Sequence, residues 1–160
     1  MVNLPVKNFA CFIFLFVFTQ AAWGQQKETG LYFTVKCNKH VSAKLVILTS
    51  KSVCLTNNPI ILSNDFESVS KVMNVSDQVY FDLKLTSQAY NRLLKIQTSF
   101  PNSELALVIE GNVFTIYKMT NTQAKSILRI QGPRNNIDLF ILMQSRLQKL
   151  LTSSNQNKIP

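Results

Sequence analysis

Cys37 and His40 stand three residues apart, the spacing at which a thiolate and an imidazole could meet on one loop. A nucleophilic cysteine needs that imidazole within hydrogen-bond reach and a third group to orient it. Nothing in the surrounding stretch is placed to supply the third group, so the lone histidine reads as a surface residue. The carboxylates are few: Glu28, Asp65, Glu67, Asp77, Asp82, Glu104, Glu110 and Asp138. Hydrolysis by paired carboxylates needs two of them held across one bond. Only Asp65 and Glu67 are close neighbours, and they read as the acidic start of a helix. The chain holds no Walker loop, no G-x-S-x-G elbow and no cluster with metal-ligand spacing. A structural zinc site is not expected, nor is any cofactor. The residues point to binding over catalysis, with an enzyme of unrecognised type as an alternative.

Two other groupings could do chemistry. Cys37 and Cys54 form an even pair that an oxidising compartment would join as a disulfide; the alternative is two separate buried thiols. Tyr32, Phe33, Tyr80, Phe81, Phe114 and Tyr117 lie beside Lys36, Lys84 and Lys118. An aromatic and basic sheet face could stack bases or hold a polypeptide. The competing reading is plain packing, one aromatic of each neighbouring pair facing the core and the other covering the sheet.

The compartment follows from the first residues. Lys7 precedes an unbroken apolar run, Phe9 to Phe18, and Ala22 and Gly24 occupy the small-residue positions of a cleavage site. Crossing a membrane takes roughly 20 apolar residues, more than this run has, so residues 1–24 read as a signal peptide, the alternative being an uncleaved anchor. Cys11 lies inside the run, where a lipid-modified cysteine does not. Residues 25–151 then make a single domain and 152–160 a polar, frayed tail. The formal net charge is +9. Such a balance favours anionic partners, an anionic membrane surface or an acidic polymer among them. The basic residues are scattered singly, so no specific nucleic acid is predicted, and a solvated surface is the plainer account.

The elements that must position these residues read as follows. Leu31 to Val35 and Lys44 to Leu48 are strands, a hairpin joined through Asn38-Lys39-His40. Ile60-Ile61-Leu62 is an apolar patch, and capping-box spacing from Asn64 to Glu67 predicts a short helix over 65–72. Val79 to Leu85 alternates as a half-buried strand. Thr86 caps a helix with Ala89, Leu93 and Ile96 inward, ended by Pro101. Leu105 to Ile109 and Val113 to Met119 flank Glu110-Gly111-Asn112 as a hairpin, with Gly111 at positive φ. Ile127 to Ile130 is a short strand closed by Gly132-Pro133. Asn135 or Asn136 caps a last helix whose apolar face is Leu139, Leu142, Met143, Leu147, Leu150 and Leu151. Strands, hairpins and helices in this order predict an α+β fold, a mainly antiparallel sheet with two longer helices packed on one face, ferredoxin-like.

From Val79 onward the chain resembles the first periplasmic domain, chiefly the head subdomain, of the SecD or SecDF protein-export component. The family's strand entering a helix is matched by Phe81, Leu83, Leu85 and Thr86. Its hairpin is matched by Leu105, Ala106, Val108, Glu110, Gly111 and Val113, and the strand end before its last helix by Ile130 and Gly132. The likeness spans residues 79–151 and, more loosely, reaches back towards residue 31. Gln88 and Ala89 stand where the family has a glycine, and Glu110-Gly111 replaces its Asp-Gly. The transmembrane helices of the export motor have no counterpart here. The resemblance implies an α+β head-like module, exported to the periplasm or secreted, that contacts translocating or unfolded polypeptide or the export and envelope machinery. The candidate partner-binding residues are Glu110, Gly111, Asn112, Val113, Phe114 and Tyr117, used through a sheet edge or groove.

Overall fold

The structure, a computed structural model, describes residues 28–39, 41–119 and 126–156. The expected signal peptide, Cys11 and His40 lie outside the described residues. Among the described residues ten strands form two antiparallel sheets, and two longer helices complete the α+β fold.

The first sheet runs β2–β3–β1–β8–β9, with β4 beside β1. Its strands are β1 (Gly30–Val35), β2 (Lys44–Leu45), β3 (Ser52–Leu55), β4 (Ile61–Leu62), β8 (Glu104–Ile109) and β9 (Asn112–Lys118). The sheet curls until the residues after β2 reach β9. Val46 bridges Val113 in parallel, and the Ile47 and Leu48 N–H groups donate to the carbonyls of Val113 and Phe114 at 2.9 and 3.2 Å. Tyr32, Val46, Leu55, Ala106, Val108 and Val113 fill the inside of the curl. Leu105, Leu107 and Ile109 face the other way into the main core. β8 is therefore buried on both faces, and its sequence is continuously apolar for that reason.

The second sheet runs β10–β7–β5, with β6 also on β7. It comprises β5 (Phe66–Val69), β6 (Met73–Val75), β7 (Gln78–Leu85) and β10 (Ile127–Pro133). Val79, Phe81, Leu83 and Leu85 all point into the core from β7, as period-two alternation requires. Two helices cover that face, α1 (Ser87–Ser99) and α2 (Ile137–Gln156). The Thr86 hydroxyl accepts the Ala89 N–H at 3.3 Å and starts α1. The sheets and α2 meet at three rings. Phe81 of β7 and Phe114 of β9 stack with centroids 6.2 Å apart, and Phe140 of α2 lies edge-on to both at 5.7 and 5.1 Å. Gly132 of β10 lets Phe140 in, since a Cβ there would meet its ring at 2.8 Å.

Several local expectations change. Residues 65–72 are not a helix: Ser63–Asp65 is one 3-10 turn, after which Phe66–Val69 pairs with β7. The Asp65 carboxylate accepts the Leu62 N–H at 3.0 Å, so the cap falls on Leu62 and Asp65 and not on the expected Asn64 and Glu67, and it closes a single turn. An isolated helix of that length is marginal, whereas pairing buries Phe66 and Val69 and satisfies the edge of β7. β1 does not form a hairpin with β2. It pairs with β3 and β8, and the Cys37–Cys54 disulfide, Cα atoms 5.2 Å apart, ties the end of β1 to β3. β10 continues through Gly132-Pro133. Asn135 and Asn136 belong to a 3-10 turn that runs directly into α2. That helix continues to Gln156, past the expected start of a polar tail. Leu142 is not on its buried face; Phe140 is, with Met143, Leu147 and Leu151.

Candidate groove between two open strand edges

β9 and β10 are each the outer strand of their sheet, and no ladder joins them. The space between is a groove of about 500 Å³. Thr115, Ile116, Tyr117 and Lys118 line one wall; Ile127, Arg129, Ile130 and Gln131 line the other. The first part of the β9 edge is occupied, because Val113 and Phe114 accept from Ile47 and Leu48. From Thr115 onward no strand among the described residues pairs with that edge.

The backbone groups that face the groove follow from the ladder pattern. The Met119 N–H donates to Ser103 O at 3.0 Å. Hydrogen-bonded pairs alternate in an antiparallel ladder, so Tyr117 and Thr115 also bond inward to Leu105 and Leu107, their register partners. The N–H and C=O of Ile116 and Lys118 therefore point outward. On the other wall the Leu85 N–H donates to Ser126 O at 2.8 Å, and the Arg134 N–H to Asp77 O at 3.0 Å. The same alternation sends Leu128, Ile130 and Gly132 inward to β7 and leaves Ile127, Arg129 and Gln131 pointing outward. Two rows of alternating donors and acceptors thus face one groove.

Tyr117 packs against the main core from β9, and Leu128 and Ile130 belong to that core on β10. The second faces differ: on β9 Ile116 joins the cluster inside the curl beside Lys118, and on β10 Ile127, Arg129 and Gln131 are exposed. Burial raises the Tyr117 phenol above its ordinary range, and its hydroxyl has no hydrogen-bond partner among the described residues. The Arg129 guanidinium is held by Asp82, at 2.8 and 3.0 Å, and sits 4.1 Å above the Tyr80 ring. Arg129 and Gln131 also border a second hollow of about 450 Å³ with Val75, Ser76, Asp77, Gln78 and Tyr80.

The residues expected to bind are divided by this arrangement. Val113 and Phe114 are fully buried, one inside the curl and one in the main core, so no partner reaches them. Alternation sends Val113 and Phe114 to opposite faces, and the bulge at Phe114 shifts the phase beyond it, so that Ile116 returns to the curl and Tyr117 to the main core. Glu110 and Gly111 form the two-residue turn, both at positive φ, 48° and 80°. The turn is tied down: the Glu110 N–H donates to Thr29 Oγ1 at 2.9 Å, the Asn112 amide donates to Glu110 O at 3.1 Å, and the Glu110 carboxylate meets Arg146 of α2 at 3.3 Å. Of the six, only Tyr117 lines the groove. The aromatic platform is likewise dispersed. Tyr32, Phe81 and Phe114 are buried, Phe33 packs edge-on to Phe100, and Tyr80 lies beneath Arg129. Four carboxylates, Asp65, Glu67, Asp82 and Glu110, are in ion pairs with Arg92, Lys84, Arg129 and Arg146.

Compared with family models, with curated proteins and with solved structures, the chain matches none. Sequence reasoning missed the β10 wall, although Ile127-Leu128-Arg129-Ile130-Gln131 carries the alternation of a strand with one polar face. Among the described residues, no His, Cys, Asp and Glu cluster could hold a metal ion, and no helix is long and apolar enough to cross a membrane.

Proposed function

We propose that this protein is an exported, non-enzymatic interaction module that binds extended polypeptide by strand addition between β9 and β10. The observation that carries the reading is the pair of open edges on one groove. The outward backbone groups of Ile116 and Lys118 stand across from those of Ile127, Arg129 and Gln131. A guest strand would satisfy both rows and join the two sheets, the mode by which sheet edges capture peptides. The resemblance of residues 79–151 to the head of the SecD-type export component supports an unfolded or translocating polypeptide as the guest, in the periplasm or outside the cell.

The test is crosslinking in cells from a photoreactive residue at Tyr117 or Gln131, on opposite walls. Capture of exported polypeptide or an export subunit from both positions is the expected result, with capture from position 117 lost in Gln131→Pro and kept in Gln131→Ala. Proline at this outward position removes a groove-facing N–H and leaves the ladder to β7 intact. Capture that ignores the proline would refute strand addition.

A second reading, a binder of envelope polyanions such as an anionic membrane surface, has its own support. Val35 pairs with Cys54 and Lys44 with Val53, which sets Lys36 and Lys44 on either side of Val53. Neither lysine has an ion-pair partner among the described residues. This reading expects vesicle binding that weakens steeply with salt and disappears in Lys36→Glu/Lys44→Glu.

A further inference from the structure

Strand addition by itself selects for backbone, not sequence; any selectivity must come from the side chains on the two walls. Resting on the groove reading above, we propose that the preferred guest is an acidic strand, in which carboxylate-bearing residues alternate with apolar ones. The side chains of a guest between β9 and β10 would point alternately to the two sides of the joined sheet. On one side they would meet Tyr117 and Ile130 at the mouth of the main core. On the other they would meet Ile116, Lys118, Arg129 and Gln131.

The charge on the walls has one sign. Lys118 and Arg129 line the groove and no acid does. Asp82 answers Arg129 from the far side, along β7. Glu104 faces Lys118 across the ladder in register but makes no ion pair with it among the described residues. A carboxylate on the polar side of the guest would lie between Lys118 and Arg129, and one turned to the other side would be driven against Tyr117 and Ile130. The acidic and apolar residues of the guest must therefore alternate. A second copy of this chain is a poor guest, because two chains of net charge +9 repel.

The experiment measures binding of short extended peptides to the full chain. Peptides alternate valine with glutamate, serine or lysine. With Arg129 already paired to Asp82, the glutamate peptide is expected at low salt to bind roughly threefold tighter than the serine peptide, the scale of one part-exposed charge pair with Lys118. The lysine peptide is expected to bind weakest. The gap should close near 1 M salt, where the screening length is about 3 Å. Lys118→Gln should remove the preference and Lys118→Glu should reverse it, both with unchanged circular dichroism. Equal affinity for the glutamate and serine peptides, with both lost in Gln131→Pro, overturns the acidic preference and leaves strand addition standing. Failure of every peptide to bind overturns strand addition as well.

Discussion

Single residues hold the scaffold at points where the backbone leaves no room. Gly30 pairs with both Leu62 and Val108, and a Cβ there would run into the Ile61 carbonyl and lie 3.2 Å from Pro59 Cβ. Gly30→Ala is expected to destabilise by about 3 kcal/mol, read from the urea midpoint, because the obstacle is backbone and cannot rotate away. Gly111→Ala is expected to cost about 1–2 kcal/mol, since its φ of 80° is strained for an L-residue. Tyr32 and Tyr117 are both held above the ordinary phenol range, chiefly by burial, and Tyr32 additionally by the charge of Glu28. The unfolded phenols ionise near pH 10. Above that pH the unfolded chain binds fewer protons than the folded one, so stability falls as pH rises, and below it these groups contribute no slope. Urea melts from about pH 8 to 11 should show the decline, and Tyr117→Phe should flatten part of it.

At the scale of elements, patterns with strong periodicity are readable and those that depend on a neighbour are not. β7 alternates so regularly that its four core residues follow from sequence order alone. The cap at Thr86 and the turn at Gly111 are local events, and both occur where local chemistry places them. α2 is different. Asp138 apart, its first turns are apolar, Ile137, Leu139, Phe140, Ile141 and Leu142, so helical spacing leaves the buried face ambiguous. Contact with Phe81 and Phe114 selects Phe140, and Leu142 remains 46 % exposed. Phe140→Ala is therefore expected to cost about 3–5 kcal/mol, whereas Leu142→Ala should stay within about 0.5 kcal/mol. Equal losses in chemical denaturation would mean that the helix is rotated. Residues 65–72 show the reverse case, a local helix signal overridden because β7 needs a partner along that edge.

For the whole molecule the decisive feature is that the strands divide between two sheets and leave two edges unpaired. The disulfide contributes to this arrangement. Its span of 17 residues contains β2 and the segment after it that covers the first part of β9. Replacing Cys37 and Cys54 with alanine is expected to cost about 3 kcal/mol in the chain-entropy account, and hydrogen exchange should show the Ile47 and Leu48 amides losing protection first. The amino-acid order alone determined the α+β class, most of the strands and both longer helices, because each rests on periodicity, capping or turn chemistry within a short window; it left the cysteines open between a bridge and two thiols, and the structure joins them. The order could not determine which strands would be neighbours. A residue such as Phe114 looks the same on an outer strand as in a core, and Arg129 carries no sign that its N–H lacks a partner. Those facts arise only when distant segments pack: the 46–48 segment closes half of the β9 edge, β10 settles against β7, and the groove is the space where neither sheet can reach the other. Edge pairing is a long-range choice, set by how the shared core is filled.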